Sequence, residues 1–174
     1  MMRLTAIRDE ITATLAQMEA LGLPKVDNVI LDRKRFRGVV ARSRMRRGRT
    51  MIEINLRGIG GVLSRWLRFK PPYFVGSVLP ISHVAYMTLH EYGHIISLLL
   101  IRDGFVWDPV FTWDKSPISR YAMRHHSEAW AEAWAAYHGG RPDLLDTPTK
   151  DLIVRAMVAL QNHKPVRAED NNAG

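Results

Sequence analysis

Two histidines and a glutamate stand at the spacing that a hydrolytic zinc site requires. His90 and His94 are four residues apart, and Glu91 directly follows the first of them. On a helix, residues four apart lie one turn above another on the same face, so both imidazoles can reach one metal ion. Glu91 is displaced around the helix, where its carboxylate can accept a proton from water on the metal. The pattern predicts a zinc-dependent hydrolase, although two core histidines with buried hydrogen-bond partners would give the same spacing.

A zinc site of this kind needs a third protein ligand and an open fourth position. Glu128 and Glu132 are four residues apart in a segment rich in alanine and aromatic residues. Carboxylates in apolar surroundings are costly to bury unless a positive charge lies between them. We therefore assign Glu128 as the third ligand and Glu132 as the outer carboxylate that orients a ligand histidine through a hydrogen bond. The two roles could be exchanged, and two exposed glutamates on an ordinary helix would also give this pattern.

Capping residues and hydrophobic periodicity place both motifs on helices. Ser82 is a typical helix N-cap, and the apolar segment after it predicts a helix over His83–Ile101 that carries the histidines. A second helix begins at His125 or Ser127, ends at His138 before two glycines and a proline, and carries both glutamates. These two helices must pack closely if one metal ion is to contact both.

The rest of the chain predicts a small sheet and two further helices. Apolar spacing, β-branched residues and turn residues indicate helices over Leu4–Leu21 and Pro148–Asn162 and strands over Val26–Leu31, Gly38–Ser43 and Thr50–Leu56. Alternation in the third strand predicts a solvent-facing side that includes Glu53 and Asn55. We therefore expect an α+β fold with a small, mostly antiparallel sheet packed on the N-terminal helix.

Length and composition favour one domain. The 174 residues are 47% hydrophobic and include no cysteine, so disulfides and cysteine-ligated metal sites are excluded. We expect a single domain over 1–163 and a polar, disordered tail over 164–174. The N-terminus lacks a secretory signal pattern, and the apolar run Ile95–Ile101 is shorter than the about 18 residues of a membrane span. A cytoplasmic chain, or one delivered without a classical signal peptide, and no membrane partner are therefore expected.

Positive charge is concentrated in one segment. The formal net charge is +8, and the segment Arg33 to Arg49 holds nine Lys or Arg residues and no acidic residue. This segment could be a solvated basic strand pair, or it could contact an acidic partner protein, an acidic substrate or nucleic acid. Phe36 is its one aromatic residue, which is little for stacking on single-stranded nucleic acid. Nucleic acid is therefore the less favoured partner.

The two motifs together resemble the catalytic domain of anthrax lethal factor and related bacterial toxin metallopeptidases. That family pairs His-Glu-x-Gly-His, here from His90 to His94, with a later Glu-x-x-Ala-Glu-x-aromatic run, here from Glu128 to Trp134. The resemblance covers about residues 83–138 and implies a zincin-like fold in which the second helix supplies the third ligand. The first glutamate of the later run is that family's zinc ligand, which favours Glu128. A tyrosine seven residues before it assists catalysis in the family, which implies that role for Tyr121.

This resemblance implies an endopeptidase that uses Zn²⁺ as its cofactor. His90, His94 and Glu128 would hold the metal, while Glu91 takes the proton of the attacking water and Tyr121 donates a hydrogen bond to the oxyanion. In such enzymes an edge strand beside the motif helix aligns an extended protein or peptide substrate. Thr50–Leu56 is the candidate strand, and its basic neighbours would favour an acidic cleavage segment.

Other interpretations stay open. A weaker similarity leads to the antirepressor-type regulatory metallopeptidases. The SprT-like metallopeptidases use a third histidine, for which His125 and His126 are the nearby candidates. A different class is a basic module that binds nucleic acid or an acidic partner, with a vestigial or structural metal site. A bacterial toxin or effector protease, held in check by an acidic inhibitor or immunity protein, would combine the peptidase with the basic segment.

Overall fold

The motif helix, α2, is the central element of the fold. The structure is a computed structural model that describes residues 4–32, 41–55, 74–105 and 118–162. In it α2 spans His83–Arg102, and 13 of its 20 residues are buried. The Ser82 hydroxyl accepts a hydrogen bond of 3.1 Å from the Ala85 N–H, which confirms the expected N-cap. Burial on most sides explains why this segment is apolar around its whole circumference.

Length and mean hydropathy alone would allow α2 to cross a membrane. Its most apolar window has a mean hydropathy of 1.2, and 72% of that window is buried inside the fold. The expectation from the short Ile95–Ile101 run therefore understated how apolar this helix is. Burial of this extent is typical of a core helix packed by its own protein.

Three other helices surround α2. They are α1 (Leu4–Ala20), α3 (His126–His138) and α4 (Thr147–Asn162), and their ends lie within one or two residues of the predicted ends. Each of the three contacts α2, and α3 has the most extensive contact with it. All four helices contribute to one cluster of buried apolar side chains, which also includes Ile52 and Ile54 of the sheet. The fully buried Trp130 and Trp134 anchor α3 in that core.

The sheet has three strands in the order β1-β3-β2. They are β1 (Asn28–Asp32), β2 (Ala41–Arg46) and β3 (Arg49–Asn55). The strands β2 and β3 form an antiparallel hairpin, whose turn residues Arg47 and Gly48 have positive φ values of 51° and 74°. The strand β1 pairs with β3 in parallel. The protein is thus α+β, with four helices and a small mixed sheet among its described residues.

The prediction of a mostly antiparallel sheet is therefore wrong for one of the two strand pairings. The chain reverses direction between β1 and β2 and again between β2 and β3, so β1 and β3 run the same way. The parallel pairing arises because β1 joins the far side of β3 instead of joining β2. Strand patterns in the sequence do not specify which strand is the neighbour of which.

Two expectations about the third strand are also wrong. β3 is the central strand, paired on both sides, so it is not the edge that could align a substrate. Among the described strands, β2 is an edge, and it contacts α2. Glu53 and Asn55 were expected to face solvent, yet they are only 5% and 7% exposed. For Glu53 the reason is local, because Arg42 and Arg44 of β2 form ion pairs with its carboxylate.

Some expectations concern residues outside the described ranges. These are the first half of the basic segment at 33–40, the first part of the second predicted strand, the end of the third at Leu56, and the tail over 164–174. The single domain over 1–163 remains a prediction that agrees with the one shared core.

Candidate metal centre

Close packing of α2 on α3 brings the two motifs together. Gly93 lies where the helices approach most closely, and a Cβ there would be 3.0 Å from Trp134 Cβ and 3.1 Å from Ala131 Cα. The Trp130 indole N–H also donates a hydrogen bond of 2.9 Å to the Gly93 carbonyl. Glycine and alanine thus allow the backbones to approach, and the tryptophans hold them in register. Both motif histidines and Glu128 lie on this interface.

Three ligand atoms converge where the helices meet. His90 Nε2 lies 3.1 Å from Glu128 Oε2, and His94 Nε2 lies 3.4 Å from the same oxygen. The two imidazole rings stand edge to face, with centroids 4.9 Å apart. Two ligands about 2.1 Å from a tetrahedral ion are about 3.4 Å apart, so this donor set matches the requirement of a divalent metal. Within the described residues, His90, His94 and Glu128 form the one such group.

The charges around His90 favour a cation at this position. Burial lowers the pKa of His90, but hydrogen bonds with Glu128 and Glu132 outweigh that effect and raise the pKa to about 10. For Glu128, burial alone would raise the pKa. Its contacts with His90 and His94 have the opposite and larger effect, and they hold the pKa of Glu128 well below the usual value. The carboxylates therefore attract either a proton on the imidazole or a metal ion in its place.

Glu132 lies behind His90 and is completely buried. It accepts hydrogen bonds from His90 Nδ1 at 2.9 Å and from the Val75 N–H at 2.7 Å, and it also accepts one from the Tyr86 hydroxyl. Three donors compensate the cost of burying a carboxylate. The His90 contact fixes the ring so that Nε2 faces Glu128. Glu132 therefore lies outside the group of ligand atoms and contacts His90, whereas Glu128 contacts both histidines.

Tyr86 and Val75 were not identified from the sequence as parts of this site. Tyr86 is four residues before His90, so helical spacing places it on the same face and could have indicated it. Val75 belongs to a 3₁₀ turn, Val75–Ser77, whose approach to α3 leaves no mark in the sequence. Gly76 allows this approach, because a Cβ there would meet the Tyr86 ring at 2.3 Å.

Glu91 faces the sheet side of the centre. Burial raises the pKa of its carboxyl group, while His90, His94 and a hydrogen bond from the Ser43 hydroxyl act in the opposite direction. Its Oε2 is buried and has no hydrogen-bond partner among the described residues. A buried carboxylate oxygen without a donor is costly, so its presence beside three ligand atoms indicates a site for an exchangeable polar group. Ser43, which belongs to β2, was not identified from the sequence.

Tyr121 lies beside the imidazole ring of His90. Its ring centroid is 5.9 Å from that of His90 and 4.8 Å from that of Phe74. Burial, together with the charges of Glu128 and Glu91, raises the pKa of its hydroxyl well above the usual value. The phenol is therefore a hydrogen-bond donor over the whole physiological pH range, close to the centre.

The other histidines do not join the cluster. His125 is the N-cap of α3, where its Nδ1 accepts a hydrogen bond of 3.2 Å from the Ser127 N–H, and His126 stacks against it on the surface. A third histidine ligand, the SprT-like alternative, is not found in the described group of three. His83 is exposed at the start of α2. His138 is at the other end of α3, where burial lowers its pKa to about 4.

Comparisons with protein-family models, with curated proteins and with solved structures found no match for this chain. Two imidazoles and a carboxylate at these separations can hold a metal ion, and a further carboxylate, that of Glu91, lies beside them and is not part of the group.

Proposed function

We propose that this protein is a zinc-dependent endopeptidase with a zincin-like active site, similar in its motifs to the bacterial toxin metallopeptidases of the lethal factor type. The observation that carries the proposal is the meeting of His90, His94 and Glu128 beside the buried, unpartnered oxygen of Glu91. A structural metal site needs a fourth protein ligand. Within the described residues no fourth ligand completes this group, and a potential general base lies next to it instead.

Zinc is the metal that best suits two imidazoles and one carboxylate, and when bound it supplies a Lewis acid that lowers the pKa of water. Glu132 holds the tautomer and orientation of His90. Glu91 accepts the proton of the attacking water and passes it to the leaving amine. The Tyr121 hydroxyl donates a hydrogen bond to the oxyanion that forms on the scissile carbonyl.

The strand that aligns the substrate in this proposal is β2. It is an edge among the described strands, it contacts α2, and its Ser43 lowers the pKa of Glu91, which indicates that the two side chains are close together. An extended peptide that pairs with β2 through its backbone would therefore pass directly beside the proposed general base. This role was expected for Thr50–Leu56 and moves to the neighbouring strand because β3 is central.

The test measures metal content and hydrolysis in parallel. The native chain, purified without chelators, is expected to bind one Zn²⁺ and to cleave members of a randomised peptide library. Glu91→Gln should keep the metal and lose about 10²- to 10⁴-fold in rate, the usual contribution of general-base catalysis. Glu19→Gln, on the exposed face of α1, is the matched control and should change neither quantity. Metal-dependent cleavage that survives Glu91→Gln would refute the assigned mechanism.

A second candidate function rests on the arginines of the β2–β3 hairpin, which holds five arginines and one glutamate. Such a surface could belong to a module that binds nucleic acid or an acidic protein, with a structural metal. The two functions differ in their dependence on Glu91. Salt-sensitive binding of a nucleic acid that is unchanged in Glu91→Gln, together with no hydrolysis by the native chain, would favour the binding module.

A further inference from the structure

The outer face of β2 is a row of arginines. Residues two apart on a strand share a face, so Arg42, Arg44 and Arg46 lie on one side and Ser43 and Met45 on the other. The register adds a fourth arginine to the row, because Arg46 is directly opposite Arg49 of β3. The side that carries Ser43 faces α2, so the arginine row lies on the opposite side of the sheet.

This row is not neutralised by its own hairpin. Glu53 is the one acidic residue of the hairpin, and it pairs with Arg42 and, at 3.5 Å, with Arg44. Four arginines and one glutamate leave a formal charge of +3 on this face. Arg46 and Arg49 are adjacent cross-strand cations, an arrangement that destabilises a hairpin. A destabilising cluster of like charge at a sheet edge is consistent with a surface that receives a negatively charged partner.

The position of the row relative to the metal centre fixes where such a partner would lie. Ser43 stands between Arg42 and Arg44 and is paired with Ile52, whose side chain lies in the core together with α2, so Ser43 is on the side of the metal centre. A peptide strand paired with β2 would place one residue opposite Ser43, on the side of the metal centre. The residues immediately before and after that one would lie opposite Arg42 and Arg44, and a residue two further along would lie opposite Arg46.

We infer that the substrate is an acidic peptide segment with Asp or Glu at every second position, read by Arg44 and Arg46 on the outer face of β2. This inference rests on the proposed peptidase function and adds its substrate class. Extended backbone pairing supplies the alignment, and the alternation of side chains supplies the specificity. Arg42 contributes less than the other two, because Glu53 already holds its guanidinium.

The expected selectivity is moderate for each position. Cross-strand pairs of opposite charge are weak individually, which corresponds to about a two- to five-fold effect on kcat/KM for each acidic residue. Two such pairs that act independently would give a preference of about four- to 25-fold over a neutral peptide. Lysine at the same positions would be disfavoured further by repulsion from the arginine row.

The experiment compares three peptides derived from the best-cleaved library sequence, with Glu, Gln or Lys at the alternate positions. We expect kcat/KM to fall in that order. Arg44→Gln and Arg46→Gln should each remove the preference at one position, so that the ratio of kcat/KM for the Glu peptide to kcat/KM for the Gln peptide falls about two- to five-fold in each variant. Arg44→Gln leaves Glu53 paired with Arg42, and Arg46 is exposed, so both variants should fold.

Arg47→Gln is the matched control, because it removes the same charge from the turn and not from the strand face. It should leave the order of the three peptides unchanged. An equal loss of preference in Arg47→Gln would mean that diffuse charge attracts the peptide, and it would overturn the assigned face. A library without enrichment of alternate acidic residues among its cleaved members would overturn the inference while leaving the peptidase function intact.

Binding provides a readout that does not need hydrolysis. The Glu91→Gln chain should bind the labelled Glu peptide more tightly than the Gln peptide in a fluorescence anisotropy titration, and Arg44→Gln should remove that difference. Equal binding of the two peptides would overturn the inference. So would tighter binding of a DNA duplex than of the Glu peptide with loss of that binding in Arg44→Gln, because the row would then belong to nucleic acid. If the native chain cleaves no peptide, the proposed function fails, and the same titration with synthetic peptides that alternate Glu or Gln with Thr still tests whether the arginine row binds alternate acidic residues.

Discussion

The two sides of the candidate site handle charge in opposite ways. On the helical side, formed by α2 and α3, the ionisable groups are buried and pair with one another, as Glu132 does with three donors. On the strand side, formed by β2 and β3, the arginines outnumber their carboxylate partners and reach solvent. Internal pairing fixes geometry, which a metal site requires, and unpaired surface charge remains for a partner. In the proposed peptidase, the helical side would therefore carry the chemistry and the strand side would recognise the substrate.

A second contrast lies within the helical side, between two ionisable residues of α3, the fully buried Glu132 and the half-buried His138. Glu132 has three donors around its carboxylate, whereas His138 Nε2 has no hydrogen-bond partner among the described residues. The carboxylate that contacts the metal centre is thus fully satisfied, and the imidazole at the far end of the helix is not. Variants on the helical side and on the strand side should therefore affect different measured properties, and by different amounts.

The largest effect is expected from Glu128→Ala, which removes the one carboxylate that contacts both histidines. Loss of an outer hydrogen-bond partner costs about 10- to 100-fold in metal affinity, and loss of a direct ligand should exceed that range. Competition with a chromophoric zinc chelator measures the change. Glu19→Ala on the exposed face of α1 is the control and should bind Zn²⁺ like the native chain. If Glu128→Ala bound Zn²⁺ with unchanged affinity, Glu128 of the helical side would not be a metal ligand.

A smaller effect on the same side is expected from Glu132→Gln. Tyr86 and His90 donate to one oxygen of the native carboxylate and the Val75 N–H donates to the other, so the amide NH2 group would face at least one of these donors in either orientation. We expect zinc affinity to fall about 10- to 100-fold, with His90 less firmly oriented. Tyr86→Phe removes one donor only and should weaken affinity less. If Glu132→Gln weakened zinc binding more than Glu128→Ala, the direct and outer roles would have to be exchanged.

The sequence predicted the helical side in detail because helix geometry is local. A spacing of four residues places His90 above His94 and Glu128 above Glu132 whatever the rest of the fold does. Close packing of the two helices was expected because one metal ion has to contact both, and the structure shows this close approach at Gly93 and Ala131. Helix boundaries followed from a cap at Ser82 and from stop residues, which are local signals as well.

The strand side was predicted less well because strand neighbours are set by contacts that are distant in sequence. The strands were located to within a few residues, although β2 continues to Arg46 where the predicted strand ended at Ser43, and the pairing of β1 with β3 was not predicted. The edge strand was therefore misplaced by one, and with it Ser43 was missed. The donors to Glu132 illustrate the same limit, since Val75 comes from a turn 57 residues away.

The contrast within α3 predicts a pH effect at His138. Burial lowers the pKa of His138 from 6.5 to about 4, so the unfolded chain binds the proton more tightly than the folded one. Stability from this residue is complete above about pH 6.5 and is lost as the pH falls toward 4. Between pH 7 and pH 5 the native chain should lose about 2 kcal/mol more free energy of unfolding than His138→Gln does. Urea titrations of both proteins at the two pH values measure this difference, and parallel losses would show that His138 is protonated in the folded state.

The smallest effect is expected at Ser43, the residue of the strand side that lowers the pKa of the proposed general base, Glu91. Ser43→Ala removes the hydrogen bond to Glu91 without touching a metal ligand, so zinc content should be unchanged. We expect kcat to fall about five-fold, in line with one neutral donor to the base. Since this hydrogen bond lowers the pKa of Glu91, its removal should also move the acid limb of kcat/KM to higher pH.

Ser43→Thr retains the hydroxyl and should restore both the rate and the pH profile, which a purely structural role for Ser43 would not require. A Ser43→Ala chain with a lower kcat and an unshifted acid limb would mean that the hydroxyl shapes the strand and not the base. A shifted limb would show instead that the strand side does more than recognise substrate. Because Ser43 lies between Arg42 and Arg44, the residue that tunes the base would then be held on the same strand that selects the peptide.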